Sequence, residues 1–220
     1  MLSDITLEQV RAGQAAYSRA LLAVYNPMVW FNYRFLWRCP PGEVLDLYNG
    51  HISGNHLDVG VATGTLLDRC RFPVPSPRLA LMDLNPNSLA VAAGNLARYH
   101  PETYLGNVLD LIQIDAPPFD SVGIANLLHC LPGTMKTKKV VFENLRAVLK
   151  PGGTLFGCTI LYGGVKRSPQ ATLALYLNNA RGFLTNKEDD LDGLKRNLTE
   201  CFLESSARVV GCVALFCARK

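Results

Sequence analysis

The sequence predicts a doubly wound α/β domain. Three observations carry that reading: short apolar runs alternating with helix-length segments from His56 onward, a glycine turn directly behind an acidic strand end, and two closely spaced strand-like runs at the end of the chain. Strands alternating with helices argue for a mostly parallel sheet covered on both faces. The last two runs, on either side of Gly211 in "FLESSARVVGCVALFCARK", lie too close for a parallel return, which needs a crossover of about a dozen residues, so they pair antiparallel.

The elements follow in order. In "TLEQVRAGQAAYSRALLAVY" (Thr6 to Tyr25) a Thr at a plausible N-cap precedes helix formers, and Pro27 marks a stop or kink. A second, aromatic-rich helical piece runs to "RCPPGE", where Pro40, Pro41 and Gly42 force a turn before a third short helix from Glu43 to Asn49. No strand signal occurs up to that point, so residues 1–54 are expected to form a helical cap and residues 55–220 the α/β core of one domain. The core strands are expected in "HLDVG", "RLALMDL", "TYLGNVL", "DSVGIANLL" and "TLFGCTIL". Within "TNKEDDLDGL", Thr185 and Glu188 fit a capping box, with Asp189 and Asp190 in the first turn of a helix.

Composition removes several function classes. Hydrophobic residues make up 49% and charged residues 18% of the 220, as in folded rather than disordered chains. The net charge of +4 is scattered apart from "MKTKK" (Met135 to Lys139), which reads as a solvated helix face. No basic stripe with interleaved aromatics points to nucleic acid. Seven cysteines, an odd number without a C-x-x-C pair and with no signal peptide ahead of them, read as reduced thiols in a cytoplasmic protein. The four histidines do not join them at zinc spacings, so no metal is expected. The most apolar segment, Ala20 to Trp37, is interrupted by Asn26, Pro27, Asn32 and Arg34 and cannot readily cross a bilayer.

In an open parallel sheet, ligands gather beyond the carboxyl ends of the strands, where strand order reverses. Candidates are therefore Asp58 to Gly64, Asp83 to Asn85, Asn107 and Val108, Asn126 to His129, and Tyr162 to Gly164. Gly60 and Gly64 open the helix near Thr65, so backbone N–H groups face the pocket and suit an anionic group. Asp83 stands about 20 residues beyond that turn, where an acid accepts hydrogen bonds from a ribose diol. The turn "GVATG" nonetheless differs from the dinucleotide fingerprint, because Ala62 stands where a second glycine would admit a pyrophosphate.

These segments together resemble the class I S-adenosylmethionine-dependent methyltransferases. "LDVGVATG" resembles the family's glycine loop, "LMDLNPNSL" its acidic second-strand motif, "FDSVGIANLLHCLPG" its fourth-strand motif and "LRAVLKPGGTLFGCTIL" its helix-to-fifth-strand motif. The resemblance spans most of the chain from about Tyr25. It implies a seven-stranded Rossmann-like sheet of order 3-2-1-4-5-7-6, with S-adenosyl-L-methionine as cofactor and S-adenosyl-L-homocysteine as product. By the same resemblance Asp58 holds the methionine amino group, the backbone from Gly60 through Ala62 to Gly64 lies along the amino-acid and sugar portions, and Asp83, with Leu84 beside it, takes the ribose hydroxyls. Asn107 and Val108 meet the adenine, Asn107 replacing the family's usual acid, and Asn126 completes the cofactor set. The ligand suits the turn chemically: it carries a carboxylate and an ammonium but no phosphate, so Ala62 is tolerable.

Methyl transfer from a sulfonium needs an in-line nucleophile and little water. A base is required only when the nucleophile arrives protonated. His51, His56 and His100 fall at or toward the amino ends of strands; only His129 follows a strand toward the ligand edge, as general base or as a packing position beside the cofactor. Tyr162, after the fifth strand, is the second catalytic candidate. Among the lid aromatics Tyr25, Trp30, Tyr33 and Trp37, Tyr25 at the break beside Pro27 is the first choice to reach the methionine carboxylate. The expected partner is a small-molecule acceptor, flat or apolar, such as a phenol or polyketide-like metabolite; no nucleic acid or membrane partner is expected, and a homodimer is left open. The rival functions are a non-methylating rearrangement on the same fold and a nicotinamide-dependent dehydrogenase, the latter disfavoured by the glycine spacing.

Overall fold

The computed structural model describes residues 27–220. The helix expected from Thr6 to Tyr25, and Tyr25 itself, lie outside the described residues. Residues 27–31 are helical and run into a π-helical turn, Asn32–Leu36. Pro40 and Pro41 then start α1 (Pro41–His51), a suitable place for proline because the first helical N–H groups have no intrahelical partner.

The core alternates as expected: β1 (Asn55–Val59), α2 (Thr65–Arg69), β2 (Arg78–Asp83), α3 (Pro86–Asn95), β3 (Glu102–Leu105), β4 (Phe119–Ala125), α4 (Lys139–Val148), β5 (Leu149–Ile160), α5 (Pro169–Ala180), α6 (Leu191–Cys201), β6 (Glu204–Val210) and β7 (Val213–Arg219). Local chemistry fixes the helix starts. Asn85 caps α3 by accepting from the Asn87 N–H, with Pro86 in the first turn, and Ser168 caps α5 through Ala171 in the same way.

The seven strands form one sheet in the order β3-β2-β1-β4-β5-β7-β6. All neighbours from β3 to β5 are parallel, and β7 runs antiparallel to both β5 and β6. Gly211 makes the β6 to β7 turn at φ 60°, where a Cβ would lie 2.1 Å from the Trp37 carbonyl oxygen that accepts the Cys212 N–H. Order reverses between β1 and β4, so a crevice opens at their carboxyl ends. Two apolar layers sandwich the sheet. Leu57, Val59, Val122 and Phe216 pack with Phe142 of α4 and Leu194 of α6 on one face; Leu79, Leu81, Phe156 and Leu215 pack with Tyr48 of α1, Leu89 of α3 and Leu175 of α5 on the other.

Two local expectations are corrected. "MKTKK" is not a solvated helix face: only Lys139 belongs to α4, as its first residue, and Met135 and Lys138 turn inward, Lys138 fully buried. Its Nζ donates to both carboxylate oxygens of Asp189 (2.7 and 2.9 Å) and to the Thr185 carbonyl (3.2 Å). The capping box is likewise absent. Asp190 is the N-cap of α6, accepting from the Gly193 N–H, while Asp189 is drawn below the helix by Lys138 and the Thr185 hydroxyl donates to the Leu131 carbonyl. His56, expected at the amino end of a strand, is the second residue of β1 and fully buried.

Candidate functional site

A cavity occupies the crevice at the carboxyl ends of β1, β2 and β4, roofed by residues 29–33 and the start of α1. Its floor is the β1 to α2 loop. Gly60 has φ 77°, and a Cβ there would lie 2.8 Å from Leu127, so glycine is demanded by both conformation and space. Gly64 packs against α3, where a Cβ would come within 3.1 Å of the Ala92 methyl. Ala62 adopts φ 47° despite its methyl group.

Two carboxylates flank this floor. Asp83 Oδ1 accepts the Asn85 N–H at 2.8 Å, and the amides of Ala62, Val61 and Leu84 also bond to the carboxylate. Burial still pushes its pKa up, with those amides opposing the shift. Asp58, 5% exposed, sits at the end of β1, and the fully buried Tyr48 hydroxyl lining the cavity beside it has no hydrogen-bond partner among the described residues.

The third wall is the loop after β3. Asn107 Oδ1 accepts the Leu109 N–H at 3.1 Å, leaving one carbonyl lone pair and the amide group for a ligand. Val108 is held from behind by Asn144 of α4, whose amide donates to the carbonyls of Val108 (2.9 Å) and Asp110 (2.8 Å). After β4, Asn126 adopts φ 60° and its Oδ1 accepts from the Tyr33 hydroxyl, tying the roof to the sheet. Trp30 in the roof is covered by the Arg69 guanidinium, 4.0 Å from its ring centre.

Of the residues singled out from sequence, Asp58, Gly60, Ala62, Gly64, Asp83, Leu84, Asn107, Val108 and Asn126 all border this one cavity. His129 and Tyr162 do not. His129 is buried in the turn Leu128–Cys130, where its Nδ1 accepts the Ile160 N–H at 3.1 Å; burial first, and then the Lys138 charge, lower its pKa to about 3. Tyr162 stacks under Arg167, 4.6 Å from its ring centre, with its backbone N–H bonded to the Asp189 carbonyl. Sequence reasoning missed Tyr48 and Ser88, which also border the cavity. Tyr48 sits on an ordinary amphipathic helix and gives no local signal; Ser88 was discoverable from its place one turn into α3, behind Asp83.

Residues 57–155 match a family model described as a methyltransferase domain. The chain is 39% identical to demethylluteothin O-methyltransferase of Streptomyces thioluteus over 95% of its own length and 91% of the relative's. The chain belongs to the S-adenosylmethionine-dependent methyltransferases. A second relative in this family, the physcion biosynthesis cluster O-methyltransferase of Aspergillus chevalieri, is 35% identical over 90% of this chain and 94% of its own. Among solved structures, the DhpI–SAH complex superposes with a TM-score of 0.68 at 16% identity over 98% of both chains, a likeness of fold. This methyltransferase transfers a methyl group from S-adenosylmethionine to a small molecule. The cavity fits such a cofactor: a carboxylate and an orphaned hydroxyl at Asp58 and Tyr48 suit an ammonium, the Gly60 cradle admits close approach, and Asp83 can accept from a diol.

Proposed function

We propose that the acceptor is an acidic hydroxyl, a phenol or enol, on a flat and largely apolar metabolite. The observation carrying this reading is the cavity lining, which includes Trp30, Tyr33, Leu131 and Pro132 and holds no histidine, lysine, arginine or glutamate among the described lining residues. The relatives named as O-methyltransferases support oxygen as the acceptor atom.

In this reading Asp58 takes the cofactor ammonium, Asp83 the ribose hydroxyls, and Asn107 and Val108 the adenine. The bound cofactor supplies an electrophilic methyl group. The chain's own residues orient the acceptor ring against Trp30 and Tyr33, exclude water, and leave the hydroxyl proton to depart to solvent. His129, bonded to Ile160 and lowered to about 3, is a packing residue in this scheme. Residues 29–33 and the start of α1 roof the bound cofactor as the cap of a single domain.

The test is formation of S-adenosylhomocysteine with matched acceptors. A phenolic or enolic acceptor should turn over, at a rate that rises with pH through the acceptor's own ionisation. Equal turnover of an aliphatic alcohol of the same shape would overturn the reading.

A further inference from the structure

Beneath the cavity floor, on the face of the sheet covered by α1, a chain of polar side chains ends at Asp58. His56 stands two residues before Asp58 and so on the same face of β1. Its ring stacks on Phe156 (5.6 Å between centres, 18° between planes), and its Nδ1 lies 2.8 Å from the Ser121 hydroxyl of β4. Ser121 Oγ in turn accepts the Ser53 N–H at 3.0 Å. With the Ser121 hydroxyl donating to Nδ1, the Nε2–H of His56 faces Asp58 Oδ2 at 3.5 Å.

Tyr48 arrives from the opposite direction. Fully buried and edge-on to Phe156 (4.8 Å), it brings its hydroxyl to the same carboxylate. Burial first, and then the Asp58 charge, raise its pKa well above the ordinary phenol value, so the group keeps its proton. The three side chains converge over Gly123, which pairs with Asp58 across the sheet. A Cβ on Gly123 would lie 2.8 Å from Asp58 Oδ2, 3.0 Å from Tyr48 Oη and 3.1 Å from His56 Cε1. The Tyr48 hydroxyl faces the carboxylate without a close hydrogen bond, and its place at the cavity wall leaves its oxygen to accept from a bound cation.

We propose that Tyr48 and His56 are positioning residues that hold the Asp58 carboxylate for the cofactor ammonium, with Gly123 leaving the room in which all three meet. The Tyr48 oxygen accepts from the ammonium while its O–H turns to the carboxylate, and His56 fixes the carboxylate from below. The proposal rests on the reading that Asp58 takes the ammonium.

Calorimetry separates the two claims by using S-adenosylhomocysteine alongside methylthioadenosine, which keeps the adenosine and thioether but lacks the amino acid. Tyr48→Phe and His56→Gln should each lower the preference for S-adenosylhomocysteine by about tenfold, as loss of a hydrogen bond on a charged group implies, with methylthioadenosine affinity unchanged. Equal weakening of both ligands, or an unchanged preference, overturns the proposal. Asp58→Asn is the control. If that variant loses the preference while the other two keep it, the positioning role alone fails; if it too keeps the preference, the Asp58 reading fails and the proposal with it. Should His56→Gln not fold, Tyr48→Phe, which removes a single oxygen, carries the test.

Discussion

Ala62 and His129 show, from opposite directions, what one residue says about its role. Ala62 holds a left-handed φ of 47° midway between Gly60 and Gly64, so its methyl group stands in the floor where a pyrophosphate would need a second glycine. His129 reads from sequence as a general base or a packing position because it follows β4, and position along a strand does not reveal what covers a ring. The structure gives its Nδ1 to the Ile160 N–H and buries it completely. A folded-state pKa of about 3 against an ordinary 6.5 means that the unfolded chain takes the proton first as pH falls. Its contribution to stability is therefore complete above pH 6.5 and is lost as pH falls toward 3, with a slope of about 1.4 kcal/mol per pH unit in that window. His129→Phe should cost about 1–3 kcal/mol at pH 7 by orphaning the Ile160 amide. Urea unfolding at pH 7 and pH 5 should show a shallower pH dependence in the variant, and the pH profile of methyl transfer should not move. Asp58 and Asp83 were legible because an acid ending an apolar run already implies a strand end and a pocket. Tyr48 and His56 were not, since the groups that give them meaning, Ser121 and Gly123, lie more than 60 residues away in sequence and meet them only through the pairing of β1 with β4.

At the scale of elements, alternating apolar runs revealed the strands, and prolines with small polar caps revealed the helix starts. What failed was a charge pattern. "MKTKK" reads as a solvated helix face and "TNKEDD" as a helix start when each is taken alone, yet Lys138 and Asp189 neutralise one another at 0% exposure and join the approach to α4 with the approach to α6. Burial raises Asp189 to about 6 against the opposing pull of Lys138, and burial lowers Lys138 against the pull of Asp189. Desolvation thus offsets much of the attraction, and removing one partner is worse than removing both. Lys138→Met should destabilise by about 3–5 kcal/mol, and the double replacement with Asp189→Leu should recover most of that loss. Denaturant unfolding of the two single variants and the double variant reads the coupling directly; additive losses would show that the pair is not the joint between these elements.

For the whole molecule, the strand order matters most for where it leaves the ligand. The reversal between β1 and β4 places the cavity where the two apolar layers meet, so Val59, Val108 and Leu131 reach it from one face, and Val61, Leu67 and Tyr33 from the other. A molecule bound there touches both layers, the loops that end four parallel strands, and the roof that Tyr33 ties to Asn126. Ligand binding should therefore stabilise the fold as a unit rather than one loop. S-adenosylhomocysteine at about 100 times its Kd should add about 2.7 kcal/mol, which for a chain of this size corresponds to a rise in Tm of about 5–10 °C. The unfolding transition should stay single and move as a whole. NADH at the same concentration should leave it in place, because Ala62 and the loop amides already bonded to Asp83 offer a pyrophosphate no close approach. A transition that splits, with only part of it shifting on addition of S-adenosylhomocysteine, would mean that the two faces of the sheet are not coupled through the cavity.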